Sequence, residues 1–325
     1  MNNSSAERFE IAGADQLAGL AQLVNGGINF DGKTVALAND IDLSVYGRGY
    51  NRGQGWIPIG REHLTSFWGV FDGNKKKMTG LFIDDITLGH AGLFAYVRVR
   101  STIRNLGLQD VNINGGELVG GLAASATDSR IENCYVTGTI IGTRTAGGLI
   151  ASLTHSQLTD SYSTANVTGT GNVGGLVGSS GGFFNIIGCY STGEVRSTGS
   201  SSSSLPLYTA GGLVGYGTGG SITRNATLNS NIISAQSQQS TGRIGGWLEN
   251  SITLAGNIAF NGMTLNTAIT TGTATNKNGT DITAATIRSD GTIGGLFTSA
   301  NGWTTQSGRL PGLFGETVEM PPHLR

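Results

Sequence analysis

The chain has 325 residues, with 54 glycines, 5 prolines, 2 cysteines and only 13% charged residues. Lys and Arg number 20 against 21 Asp and Glu, a formal net charge of −1, which leaves no electrostatic footprint for nucleic acid or an anionic membrane surface. Abundant glycine with scarce proline suits corners and close backbone approaches, not a disordered tract. No apolar stretch nears the roughly 20 residues of a membrane-spanning helix, so membrane insertion is not expected. Met1-Asn2-Asn3-Ser4-Ser5 lacks the basic start and apolar core of a signal peptide, so that, if the protein is exported, the chain is a mature or excised segment.

Residues 1–30 form an N-terminal capping region. Within it Leu17, Leu20, Ala21 and Val24 recur at helical spacing, with Asp15 as a capping residue and Asn25-Gly26-Gly27 as a stop. This predicts one substantial helix, over Ala14 to Val24, laid on the open end of whatever follows. Covering that end protects an exposed sheet edge.

Residues 31–275 contain a repeat. Gly120-Gly121-Leu122-Ala123, Gly147-Gly148-Leu149-Ile150 and Gly174-Gly175-Leu176-Val177 are spaced by 27 residues, and Gly211-Gly212-Leu213-Val214 follows after 37. Looser copies stand at Ala91-Gly92-Leu93-Phe94 and Gly245-Gly246-Trp247-Leu248. Each is followed by a second phrase, clearest in Ile131 to Gly138, Leu158 to Thr164 and Ile187 to Gly193. Short β-branched runs between Gly, Asn, Ser and Thr read as strand, turn, strand, turn. A period of 27 is too short for a propeller blade of about 40 residues, so the fold class is all-β, a parallel β-solenoid whose coils stack on one another. Residues 276–325 form a small C-terminal cap, with a short helix over Asp281 to Arg288 before Gly302-Trp303 and Leu310-Pro311 close the array. The three regions form one continuous unit.

The Gly-Gly-Leu-Val-Gly phrases, with their Cys/Ser-Tyr-Ser/Thr partners, resemble the GLUG-type repeats of bacterial surface and secreted proteins. Ala14 to Val24, Asn39 to Leu43, Trp56 to Gly60 and Phe67 to Gly73 resemble the region that precedes such repeats. The resemblance implies a β-solenoid segment of an adhesin-like protein at the cell surface or outside the cell. It carries no catalytic residue, and Gly121, Leu122, Gly148, Leu149, Gly175, Leu176, Gly212 and Leu213 are its structural positions. Some relatives flank a zinc peptidase domain. Here the histidines His63, His90, His155 and His323 lack the two-His, one-Glu helical spacing of a zincin, so no metal or other cofactor is expected.

Gly169 to Gly174 matches GxGxxG, yet another Gly-Gly-Leu strand follows it where a dinucleotide site needs a helix. Gly178-Ser179-Ser180-Gly181-Gly182 matches GxSxG without a strand-to-helix turn to expose a nucleophile. The acids Asp72, Asp84, Asp85, Asp110, Glu132 and Asp160 form no column from coil to coil and read as solvated turn and edge charges. Lys75-Lys76-Lys77 likewise reads as a solvated turn.

Alignment of the second phrases puts Tyr135, Tyr162 and Tyr190 in one column, stacked about 4.8 Å apart; alternation turns the rings outward, with an inward column as the alternative register. Such a ladder stabilises successive coils, or it serves as a platform for a sugar ring or partner protein. Cys134 and Cys189 fall two coils apart, about 9.6 Å, beyond disulfide reach, which predicts two free buried thiols. The excess between Gly174 and Gly211 falls near Phe183-Phe184 and in Arg196 to Thr209. There Phe183, Phe184, Leu205-Pro206-Leu207 and Tyr208 are candidate contacts, and Ser200 to Ser204 reads as a spacer.

These readings converge on a non-enzymatic adhesion, stalk or display module, binding a host or cell-surface glycan or protein through a solenoid face or inserted loops. The alternative is a carbohydrate-active β-helix enzyme with groove carboxylates, which requires two acids roughly 5 to 10 Å apart. Ice binding through Thr137, Thr139, Thr168 and Thr170 would need a regular lattice that the insertions interrupt.

Overall fold

Apolar residues at matching offsets stack in register. Phe9 pairs with Val35, then Phe71, Ile103, Ile131, Leu158, Ile186, Ile222 and Leu254, each to the next by parallel pairing. The chain is therefore a parallel β-solenoid of about nine turns. The computed structural model describes residues 7–200, 208–236, 240–266 and 268–325. Met1 to Ser5, and Ser201 to Leu207 of the serine-rich insertion, lie outside the described residues.

Three walls build each central coil. A long wall carries Thr102–Gly115 and Arg130–Gly142, which later coils break into short strands such as Gln157–Thr159, Tyr162–Ser163 and Asn166–Gly169. A glycine wall runs through Leu118–Gly120, Thr145–Gly147, Val173–Gly174, Ala210–Gly211 and Thr241–Gly242. A serine wall runs through Phe94–Val97, Ala123–Thr127, Ile150–Thr154, Val177–Gly181, Val214–Gly217 and Gly245–Leu248.

Between the last two walls the repeat leucines Leu93, Leu122, Leu149, Leu176 and Leu213 are all 0% exposed. Glycine is required beside them by close approach. A Cβ on Gly148 would stand 2.1 Å from the Gly175 carbonyl oxygen and 2.3 Å from Ser163 Oγ, and one on Gly175 would stand 2.0 Å from the Gly212 carbonyl oxygen. Coils stacked at β spacing leave no room for a side chain there.

Sequence alignment placed the last looser copy at Gly245 to Leu248, but the register pairs Gly211 with Gly242 and Val214 with Gly245. The true copy is Gly242-Arg243-Ile244-Gly245. Arg243 fits where a glycine stood because the array is ending, and its fully buried guanidinium donates to the carbonyls of Asn278, Gly279 and Phe260 and to Asp281. It caps backbone acceptors that a further coil would otherwise satisfy.

A left-handed corner recurs in the long wall, at Asn105 (φ 53°), Asn133 (51°), Asp160 (47°), Gly188 (65°), Arg224 (58°) and Gly256 (64°). Asn, Asp and Gly are the residues that tolerate this conformation. The residue after the corner points inward: Leu106, Cys134, Ser161, Cys189, Asn225 and Asn257 are all buried. Their polar groups close the corner hydrogen bonds, since Cys134 N–H donates to Ser161 Oγ at 3.0 Å and Cys189 N–H to Asn225 Oδ1 at 2.9 Å. Both thiols are free and buried, and burial pushes the Cys134 thiol up to about 12 and Cys189 further in the same direction.

At the N-terminus, α1 (Ala14–Asn25) joins the strands of the first two turns and buries Leu17, Ala18, Leu20, Ala21 and Val24. Asp15 is not its cap, because Gly13 holds that position. The Asp15 carboxylate instead accepts the Tyr46 hydroxyl at 2.8 Å, while Gln16 turns back to accept from Ala12 N–H.

The C-terminal region differs from expectation in two ways. Thr280–Ile282 adds a strand beside Ile258–Phe260, so α2 starts later, at Ala284–Asp290, with Thr283 accepting from Thr286 N–H as its cap. Residues 291–325 then extend beyond the last coil of the array. They run back along its side, from His323 against Phe260 and the Leu228 carbonyl to an ion pair between Glu316 and Lys77.

Candidate functional site

The tyrosine column forms as the repeat predicts. Tyr135 pairs with Tyr162 and Tyr162 with Tyr190, with ring centroids 5.0 and 4.9 Å apart and planes within 6° and 3° of parallel. The rings point away from the coil interior, since the neighbouring Val136, Ser163 and Ser191 are the residues that meet the glycine wall. Yet Tyr135, Tyr162 and Tyr190 are only 4%, 5% and 0% exposed. The returning C-terminal segment roofs them: Phe314 lies 5.9 Å from Tyr135, Trp303 stands over Tyr162 and Tyr190, and Phe297 meets Tyr190 edge-on. The Tyr190 hydroxyl donates to the Pro311 carbonyl at 2.6 Å. An open platform is thereby corrected to a buried seam, for the chain supplies its own aromatic partner. Burial pushes the Tyr135 phenol up to about 12 and raises Tyr162 and Tyr190 well above the ordinary range. Asp160, half-buried beside Trp303, is raised by burial against the opposing charge of Arg224.

The two insertion phenylalanines part company. Gln157 pairs with Asn185 while Thr154 pairs with Gly181, so one extra residue enters at this corner. Phe184 takes the inward place that Ser129 and Ser156 hold in the preceding coils and is fully buried, which removes it as a contact residue. Phe183 is the bulged residue, 87% exposed, with its ring 6.3 Å from that of His155. The larger insertion lies between Ser197 and Ala210, and Tyr208 at its end is half-buried.

A concave groove of about 760 Å³ lies where the serine wall meets the turns after the long wall. Ser152, Ser179 and Tyr216 line it, as members of a longer column on the serine wall that pairs in register: Tyr96 with Ser125, Ser125 with Ser152, Ser152 with Ser179, Ser179 with Tyr216 and Tyr216 with Trp247. Arg144, Glu117, Thr170 and Tyr208 form the opposite bank. Tyr216 is anchored by its hydroxyl, which donates to Glu249 at 2.6 Å, and that bond together with burial pushes its phenol up to about 12. At the other end Tyr96 stacks on His90 with centroids 4.4 Å apart, and burial lowers the imidazole. Sequence reading missed this column. Its signal is positional: each member stands three residues after the repeat leucine, or after Ile244 in the last copy, with a run of three serines between aromatic residues and no residue type shared by all.

The acids expected to be solvated are mostly engaged in local structure. Asp84 accepts from Asn114, Asp85 from Thr87 and Asp110 from Thr137. Although burial opposes it, Asp72 is held below the usual carboxylate range by hydrogen bonds from Asn105 and Asn74 N–H and by its ion pair with Arg104 at 3.0 Å. The GxSxG pattern falls on the strand Val177–Gly181 with Ser180 buried, so it forms no nucleophile turn. Among the described residues no three His, Cys, Asp or Glu side chains are grouped to hold a metal ion, and no helix is long and apolar enough to cross a membrane.

Stacked parallel coils with an outward column and an adjoining groove define the class: a β-solenoid repeat protein. More particularly, the chain matches the GLUG motif at residues 115–141 and 169–196. Among curated proteins it is 30% identical over 121 residues to "Halomucin" of Haloquadratum walsbyi, covering 37% of this chain and 1% of that protein. It is 34% identical over 98 residues to "Putative Gly-rich membrane protein" of Evansella cellulosilytica, covering 29% of this chain and 11% of that protein. The chain thus spans a small fraction of the length of these relatives. Among solved structures, that of "a putative immunoglobulin A1 protease" from Bacteroides ovatus shares the fold, with a TM-score of 0.74, 19% identity, and coverage of 97% of this chain and 94% of the other.

Proposed function

We propose that this chain is a non-enzymatic module of a surface-associated repeat protein, which displays a rigid solenoid face and binds a linear glycan along the serine-wall groove. The carrying observation is the in-register column of Ser125, Ser152 and Ser179 between Tyr96 and Tyr216, of which Ser152, Ser179 and Tyr216 line the groove. Four coil spacings put those end aromatics roughly 19 Å apart, the span of a short oligosaccharide. Hydroxyls on the floor match sugar hydroxyls, and aromatic ends offer flat apolar faces. The names of the curated relatives support a surface setting. A hydrolytic reading requires paired carboxylates, whereas among the described residues Glu117 is the one acid lining the groove.

The test is a glycan array followed by titration calorimetry, with product analysis of the same sugars. Binding without turnover is expected, weakened about tenfold or more by Tyr216→Ala. Product formation would overturn the non-enzymatic reading, and full binding by Tyr216→Ala would place the ligand elsewhere.

A further inference from the structure

On the other side of the corner that carries His155 lies a second depression, of about 600 Å³. Thr154 lines the groove and His155, the next residue, lines this cleft. Arg100 and Arg130 both border it, with Gln157 at its rim and Ser101, Thr102 and Ser129 in its wall. Among the described residues Asp128 is the one carboxylate there, so the cleft sets two permanent positive charges against one negative charge. Both arginines are exposed, and among the described residues neither guanidinium has an ion-pair or hydrogen-bond partner. Arg104, one turn of alternation away, differs in being committed to Asp72. In a chain of net charge −1, two free guanidiniums facing one cleft are a local feature with a preference for oxyanions.

Phe183 adds the second element. It is the single residue inserted at this corner, it stands 87% exposed, and it neighbours the cleft-lining His155 at 6.3 Å. An apolar ring held in solvent gains by covering its face, and the apolar face of a pyranose fits it. We propose that this cleft is a binding site for an acidic glycan, with Arg100 and Arg130 holding the carboxylate or sulfate and Phe183 stacking on an adjoining sugar ring. An acidic peptide satisfies the charges but has no use for a lone flat ring beside a hydroxyl-lined wall.

Calorimetry with a galacturonate tetramer, a sulfated tetrasaccharide, a neutral tetramer of the same length and an oligoglutamate peptide tests this. The expected result is saturable binding of one or both anionic sugars, with the responding arm naming the anion. Binding should fall about tenfold or more in Arg100→Gln/Arg130→Gln, and fall in Phe183→Ala while the salt dependence stays unchanged. These side chains are exposed, so unchanged melting confirms that the variants fold. Binding by the double variant equal to wild type, preference for the peptide, equal binding of the neutral sugar, or no binding to any probe would each overturn the proposal. Tyr216→Ala serves as the control that separates this cleft from the groove, and anionic-sugar binding lost in that variant but kept in the arginine double variant would also overturn it.

Discussion

At the residue scale, the repeat glycines Gly148 and Gly175 act through space, not through a positive φ. The extra Cβ of Gly148→Ala would meet the Gly175 carbonyl at 2.1 Å, a backbone atom that can retreat only by parting two coils. Such overpacking costs about 1 to 3 kcal/mol or more, and parting a parallel ladder adds lost hydrogen bonds. Gly19 gives the opposite case, for it lies inside α1 with nothing within 4 Å of its would-be Cβ. Gly19→Ala should therefore stabilise by about 0.5 to 1 kcal/mol, through helix propensity alone. Urea denaturation of the two variants checks both signs. A Gly148→Ala protein as stable as wild type would mean that the coils yield more readily than their spacing indicates.

The ladder belongs to the scale of elements, because its burial depends on a segment more than a hundred residues away in sequence. The alternation of Cys134, Tyr135 and Val136 was enough to turn the ring outward, since inward and outward follow from the pleat. What covers the outward face was not legible. The sequence of 291–325 has no repeat, and its aromatic residues Phe297, Trp303 and Phe314 are far apart with no periodicity to mark a shared face. Likewise the pattern Phe183-Phe184 could not tell which ring bulges, because a one-residue insertion resets the pleat. The roof has a measurable consequence in the phenol titrations. Tyr162 and Tyr190 have folded pKa values raised by burial, so their contribution to stability is fully present below the ordinary tyrosine value of about 10 and is lost as pH rises above it. Phenolate absorbance, taken as the difference between wild type and Tyr162→Phe/Tyr190→Phe, should stay silent through that ordinary range and appear only with loss of the fold. Trp303→Ala, which opens the roof over both rings, should bring the signal down toward the ordinary range. Normal titration of both tyrosines in the wild type would contradict the roof.

For the whole molecule, the same segment changes what kind of object the solenoid is. A repeat array in which each coil touches only its neighbours is stabilised by nearest-neighbour terms and can open from its ends. Here residues 297–323 touch side chains from Lys77 through Tyr135, Tyr162 and Tyr190 to Phe260, and so tie early coils to late ones. The exposed Lys77–Glu316 pair adds little. The aromatic seam adds much more, because loss of a buried Trp alone costs about 3 to 5 kcal/mol. Global coupling of this kind predicts one cooperative unfolding transition for the intact chain, reported alike by far-UV circular dichroism and by tyrosine and tryptophan emission. Deleting 296–325 should leave the coils paired through the backbone but separate their stabilities. Unfolding would then broaden or split, and amide exchange would quicken first in the C-terminal coils, whose buried Asn225 and Asn257 offer less apolar packing than Leu106 and Cys134. A deletion variant that still unfolds in one sharp transition, with exchange protection uniform along the array, would show that the coils are coupled by their own stacking and that the returning segment is only a cover for the ladder.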